Sequence, residues 1–336
     1  MLVPAFFSIL YICSSAGETL VVKALNYATP SLTLPSYTGF MSNQLWLLML
    51  PLYGWMLYKS DKKYKQKYLM EYFGMGLLTF TTTLFRNISL NMIPGSIFGI
   101  LISTSIIFNM GMSWIWLKKS FNHWHLAAAV TCLASALSVG IPAFIDNQEG
   151  NYSLGIPTAI AAAFSVALIT VWQEELQPKF DDLNLRLVEL LISSSMLSSV
   201  LMITYATFTK EIREWSPSIN AMSLSLIIGC SLALPILKLV VRNTKYSIIQ
   251  KSNAFFFEFV QASAALLGSF ANILLFNESW GPGYIVGCIL LAISFGLYFK
   301  AKTVAKTVKL DVMPPPPPYL NPLKIEIIVS PVQPWK

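Results

Sequence analysis

Charge is what this sequence has least of. Of its 336 residues only 12% are Asp, Glu, Lys or Arg, against about a quarter in a soluble domain. A chain that is 55% hydrophobic cannot fold in water at this length without leaving large apolar patches uncovered. That shortage excludes an ordinary soluble enzyme or binding module. Histidine is nearly missing as well. His123 and His125 stand two apart, so they point to different helix faces and read as interfacial residues, not as metal ligands. The four cysteines, Cys13, Cys132, Cys230 and Cys288, each fall inside an apolar run without C-x-x-C spacing. They read as small core hydrophobes, not as disulfide or metal partners. Also missing are the G-x-x-x-x-G-K-[ST] loop for ATP, the H-E-x-x-H metal motif and a nucleophile elbow. The expectation is a protein without cofactor or metal that is not an enzyme, and any energy it uses comes from a gradient or from exchange. The net charge of +7 does not point to nucleic acid, because the lysines cluster between apolar runs and not along one helical face.

What the chain does have is apolar runs. A helix needs roughly 20 apolar residues to cross hydrocarbon. Runs near 3–24, 38–58, 70–90, 94–117, 123–144, 154–176, 187–208, 220–241, 253–276 and 281–299 meet that length. The breaks carry loop chemistry: charges at 59–67, DNQEGN at 146–151, SPS at 216–218 and GPG at 281–283. The first run has a small-residue patch at Ser14, Ser15 and Ala16. It has no positive leader and continues past the patch, so it reads as a helix and not as a cleaved signal. The expected fold is all-α, a polytopic membrane protein of ten transmembrane helices.

Lysine and arginine set the orientation. With the N-terminus inside, the inner segments hold Lys59, Lys62, Lys63, Lys65, Lys67, Lys118, Lys119, Lys179, Arg186, Arg242, Lys245, Lys251 and the lysines from Lys300 to Lys309. The outer side receives only Lys23, Arg86, Lys210 and Arg213. Both termini are therefore expected in the cytosol, in an endomembrane or the plasma membrane. The sequons at Asn87, Asn151 and Asn277 all fall on the outer or lumenal side, with Asn151 the best acceptor.

Ten spans divide into five plus five, residues 1–145 and 146–300. Because five is odd, the second half enters the membrane inverted, a plan that puts a substrate site near the midplane between repeats. The stretch Trp116-Leu-Lys-Lys-Ser-Phe121 ends the fourth span, and Leu275-Phe-Asn-Glu-Ser-Trp280 ends the ninth at the matching place. Each is followed by a helix rich in small residues, which lets backbones approach closely. Ten spans, cytosolic termini and this hairpin pattern resemble the drug/metabolite transporter superfamily. The nearest likeness is to its chloroquine-resistance-transporter-like branch and to related nucleotide-sugar-type solute carriers. Ile88-Ser-Leu-Asn-Met-Ile-Pro-Gly-Ser96, and Trp172-Gln-Glu-Glu-Leu-Gln-Pro-Lys-Phe180 followed by Leu185-Arg-Leu, carry the likeness. It extends over about residues 3–300 and implies transport of a small solute.

Ionisable groups within hydrocarbon are costly, so each is a candidate for function. Depth counting places Glu18 with Arg86 toward the outer side, near Ser14 and Ser15, and Glu258 with Lys238 toward the inner side. These pairs are expected to shape or gate the two ends of a cavity, although Arg86 and Lys238 are long enough to snorkel instead. A carboxyl in a low-dielectric cavity suits reversible proton uptake, or selects cationic solutes. Neutral polar residues add a second layer: Asn91, Ser96, Ser103, Thr104 and Asn109 on the fourth span, and Asn253, Gln261 and Asn272 on the ninth. Many such hydroxyls instead bond their own helix backbone.

The tail from 301 to 336 changes character. Pro314 to Pro318 form a polyproline II segment, and Pro316-Pro317-Pro318-Tyr319 fits a ligand for a WW-domain partner, or serves as a plain spacer. The functional expectation is a secondary transporter that meets membrane lipid and a small-molecule substrate, neutral or cationic, with proton coupling as one option. A nucleotide-sugar or phosphorylated-metabolite exchanger is the alternative within transport. A non-transporting scaffold or receptor is the alternative outside it.

Overall fold

The structure, a computed structural model, describes residues 2–28, 35–59, 68–93, 95–146, 152–180, 182–211, 221–276 and 282–312. The charge run at 60–67, Asn151, Asn277 and the tail motif of Pro316, Pro317, Pro318 and Tyr319 lie outside them. So do the side chains of Ser96 and Asn272.

Among the described residues every regular element is a helix. In order the helices are α1 (Leu2–Ala28), α2 (Pro35–Asn43), α3 (Leu45–Lys59), α4 (Leu69–Met92), α5 (Gly95–Ser103) and α6 (Ser105–Ile115). They continue as α7 (His123–Asp146), α8 (Tyr152–Leu176), α9 (Leu183–Phe208), α10 (Ala221–Lys251), α11 (Ala254–Phe276) and α12 (Gly283–Val312). Two pairs are single helical stretches broken at one residue. At Gln44 the chain tightens, with Gln44 N donating to Met41 O at 3.2 Å and Leu47 N to Gln44 O at 3.0 Å. At Thr104 it does the same, and the Thr104 hydroxyl bonds Leu101 O at 2.6 Å. These i→i+3 bonds are one turn of the narrower 3₁₀ helix. Counting each broken pair once leaves ten helical stretches that follow the ten apolar runs.

Among the described residues six segments are long and apolar enough to cross a membrane: Pro4–Val22, Ile97–Ile115, Tyr152–Lys179, Leu183–Phe208, Ile227–Lys251 and Gly283–Val304. The outside of the bundle is apolar too. Phe6, Trp55, Phe73, Trp114, Phe208 and Leu274 all stand exposed. Cys13 and Cys288 join this outer face, contrary to the expectation that every cysteine packs inside. Cys132 and Cys230 are buried, and all four are free thiols.

Local capping explains several starts. Asp182 accepts from Leu185 N at 3.3 Å to open α9, and Asn122 accepts from His125 N at 3.0 Å to open α7. Each satisfies one of the amides that a helix N-terminus leaves unpaired. The largest boundary differences from the sequence pattern are at α12, which runs to Val312 instead of stopping at 299, and at α10, which runs to Lys251 instead of stopping at 241. Arg242, Lys245 and Lys251 are therefore helical, not loop residues. Arg186, expected in a loop, is buried in the first turns of α9, where it pairs with Glu189 at 2.8 Å.

The packing has a plan. α1 lies against α10 and α11, and α8 lies against α4 and the α5–α6 stretch. α9 packs on α2, α3 and α4, while α10 also touches α2 and α3. α7 pairs with α12, where Ser135 bonds Gly287 O at 2.7 Å and Ser138 bonds Gly283 O at 3.1 Å. Small residues bring those two backbones close enough for hydroxyl-to-carbonyl bonds. An aromatic pile of Phe255, Phe256, Phe259 and Tyr298, with Phe121 and His125 at its rim, joins α11 and α12 to the start of α7.

Candidate functional site

At the centre of the bundle is a cavity of about 180 Å³. Helices from both halves of the chain line it: α1, α4 and α5 from the first, and α8, α9, α10 and α11 from the second. Its wall combines hydroxyls (Ser15, Thr79, Thr82), apolar side chains and a dense set of charges.

Glu18 is the organising group. It is only 3% exposed, and its Oε1 accepts from Arg86 Nη1 and from Lys238 Nζ, each at 2.9 Å. Arg86 reaches Thr19 with its second nitrogen at 3.2 Å. One carboxylate from α1 is thus clamped between a cation from α4 and one from α10. The pairing of Glu18 with Arg86 matches the expectation from depth. The pairing of Lys238 with Glu258 does not occur, because α10 continues ten residues beyond its expected end. Lys238 therefore lies near the middle of α10, level with Glu18, instead of near its inner end.

Glu258, 2% exposed, is held by neutral donors. Ser105 donates to its Oε2 at 2.5 Å and Asn109 to its Oε1 at 3.0 Å. Gln261 lines the cavity and reaches Ser105 at 3.4 Å. The polar faces of α6 and α11 therefore meet, as the sequence pattern expects of the fourth and ninth spans. Other candidates are elsewhere. Ser103 is buried and bonds Gly99 O at 2.7 Å. Asn253 caps α11 through Phe256 N at 2.6 Å. Asn91 is exposed at the end of α4. Ser14 is buried outside the cavity wall, whereas Ser15 is part of that wall.

Two functional candidates escaped the sequence pattern, Arg242 and Lys245. Both line the cavity. With Lys238 they recur at i, i+4 and i+7, which puts all three on one helical face. That spacing was the available signal. It was masked because basic residues just beyond an apolar run read as a cytosolic loop. Arg242 donates to Ser195 Oγ at 2.6 Å and to Asn43 Oδ1 at 2.9 Å.

Beyond the cavity, polar contacts join the helix ends at one end of the bundle. Glu174 at the end of α8 pairs with Lys119 of the α6–α7 connection and accepts from Ala254 N, the first residue of α11, at 3.0 Å. Gln177 reaches Tyr246 O at 3.2 Å, and the Tyr68 hydroxyl reaches Lys179 O at 2.5 Å. Glu189 accepts from Tyr72 at 2.6 Å and Tyr53 at 3.2 Å beside its Arg186 partner. These contacts bring the ends of α8 and α10 together with the starts of α4, α9 and α11.

No family model and no curated protein matches this chain. A crystal structure of another protein is similar to it in fold, with a TM-score of 0.61 and 15% identity over 90% of this chain and 98% of that one.

Proposed function

We propose that this protein is an integral membrane carrier that moves small organic solutes by alternating access between two inverted five-helix halves. The observation that carries the reading is the charged cavity lined by helices of both halves. Ionisable groups at membrane depth are retained where they face a partner or a pathway. A purely structural bundle gains nothing from five of them around an open space.

The packing supports the inverted repeat. Matching the halves in chain order sets α1 against α8, the α2–α3 stretch against α9, α4 against α10, α5–α6 against α11 and α7 against α12. Under that exchange the contact of α1 with α10 becomes that of α8 with α4, and both occur. The contact of α1 with α11 becomes that of α8 with α5–α6, and α4 with α9 becomes α10 with α2–α3; all four occur. A duplicated, inverted unit gives such paired contacts without coincidence. On this reading the ten helical stretches are ten spans with both termini cytosolic. The drug/metabolite transporter resemblance fits the same plan.

The test is uptake by proteoliposomes from a mixed pool of metabolites, with and without a proton gradient. Solute-specific accumulation, or exchange after preloading, is the expected result. Folded protein that moves no solute from such a pool sinks the carrier reading and leaves a scaffold.

A further inference from the structure

Resting on the carrier reading, we infer that the cavity takes a small hydroxylated organic anion whose carboxylate or phosphate head group is held by Arg242 and Lys245. The cavity wall holds more positive than negative charge. The wall presents four cations, Arg86, Lys238, Arg242 and Lys245, and one carboxylate, Glu18. Glu18 is already shared by Arg86 and Lys238 through one oxygen. It accepts no hydrogen bond from the remaining two and acts on Arg242 only through space. Arg242 is solvated only by neutral acceptors, Ser195 and Asn43. Lys245 has no hydrogen bond or ion pair among the described residues; its Nζ sits over the Phe257 ring at 5.1 Å. Glu258 attracts Lys245 through space but takes its hydrogen bonds from Ser105 and Asn109. Counting it as well still leaves four cations against two carboxylates.

A cationic solute entering this wall meets repulsion that one clamped carboxylate cannot offset. An anion meets two adjacent donors on consecutive turns of α10, and charge-assisted bonds are the strong ones in a water-poor site. The hydroxyl part follows from the other polar atoms. Glu18 Oε2, Thr82 Oγ1 and Gln173 Oε1 are buried without a hydrogen-bond partner among the described residues, and all three residues line the same cavity. Buried acceptors of this kind are costly when unmet. The hydroxyl donors of a sugar-like or hydroxy-acid solute satisfy them. The expected preference for neutral or cationic solutes rested on Glu18 and Glu258 alone, before Arg242 and Lys245 were known to face the cavity.

The experiment is thermal unfolding of the purified full chain with matched solutes: glycerol 3-phosphate, glucose 6-phosphate and malate against glycerol, glucose and choline. The expected result is stabilisation by at least one of the anions and by none of the uncharged or cationic partners. A preference among the anions separates phosphate from carboxylate. Lys245→Gln and Arg242→Gln should each raise the half-saturating anion concentration about ten-fold or more, the scale of one charge-assisted bond. Lys245→Arg, which keeps the charge, should stay within several-fold of wild type, and Lys251→Gln should match it. Stabilisation by choline or glucose equal to that by the anions overturns the inference. So does an anion effect unchanged by Lys245→Gln, or no anion effect in folded wild-type protein. Choline flux into proteoliposomes without any anion effect would leave the carrier reading intact. Anion binding without flux would do the reverse.

Discussion

Glu18 shows what one carboxylate does when two cations depend on it. Its Oε1 is the acceptor common to Arg86 and Lys238, so Glu18→Gln removes the negative charge from both at once. Breaking a buried pair by deleting one partner costs about 3–5 kcal/mol because the other charge stays behind. Glu18→Gln should therefore lower the unfolding temperature of the purified protein distinctly. Glu258→Gln should lower it much less, since the amide can still accept from Asn109 and bond the Ser105 hydroxyl. Equal melting of the two variants would contradict this ranking. At this scale the sequence was partly legible. Counting residues into apolar runs brought Glu18 and Arg86 to one depth. It failed for Lys238, Arg242 and Lys245, because depth is measured from a helix end and the end of α10 was placed ten residues early. A cation facing an internal cavity looks, in one dimension, like a cation at the membrane surface.

Helix packing at the element scale turns on small residues. On α4, a Cβ added at Gly76 would lie 2.7 Å from Leu197 Cδ2 and 2.9 Å from its Cβ on α9. On α8, one added at Gly155 would lie 2.5 Å from Ile93 Cγ2 at the end of α4. Gly155 also offers its carbonyl to Ser89 at 3.0 Å, a bond that needs the close approach. Gly76→Ala and Gly155→Ala should each destabilise by about 1–3 kcal/mol, the usual cost of overpacking. Gly54→Ala and Gly111→Ala meet nothing within 4 Å and should be neutral or mildly stabilising, since Ala favours helix by up to about 1 kcal/mol. Melting temperatures of the four variants decide the point. The ten helical stretches were legible because apolar runs of bilayer length are a strong signal. The breaks at Gln44 and Thr104 were not, for neither position holds the Pro or Gly that marks an interruption. Pro51, Pro157 and Pro235 conversely sit inside helices.

Across the whole molecule, the proposed division into two inverted halves would join these parts. Two hairpins of similar composition hinted at duplication. The paired contacts of α1 with α10 and α8 with α4 support it better, because they relate elements far apart in the chain. Which faces of the helices turn inward was not legible. In hydrocarbon the outside of a helix is as apolar as its packed side, so hydrophobic patterning loses the contrast it has in water. The ionisable residues and the neutral polar faces of α6 and α11 retained an inward signal, and five of the ionisable ones converge on one cavity.

Alternating access requires that this cavity open in turn to either side of the membrane. Thr79 lines it from α4 without carrying charge. The measurement is labelling of Thr79→Cys, in protein whose four native cysteines are replaced, by a membrane-impermeant thiol reagent applied to each face of oriented proteoliposomes. Alternating access predicts that the cysteine reacts from both faces and that reaction from either one blocks uptake. Reaction from one face only, however long the exposure, would contradict it.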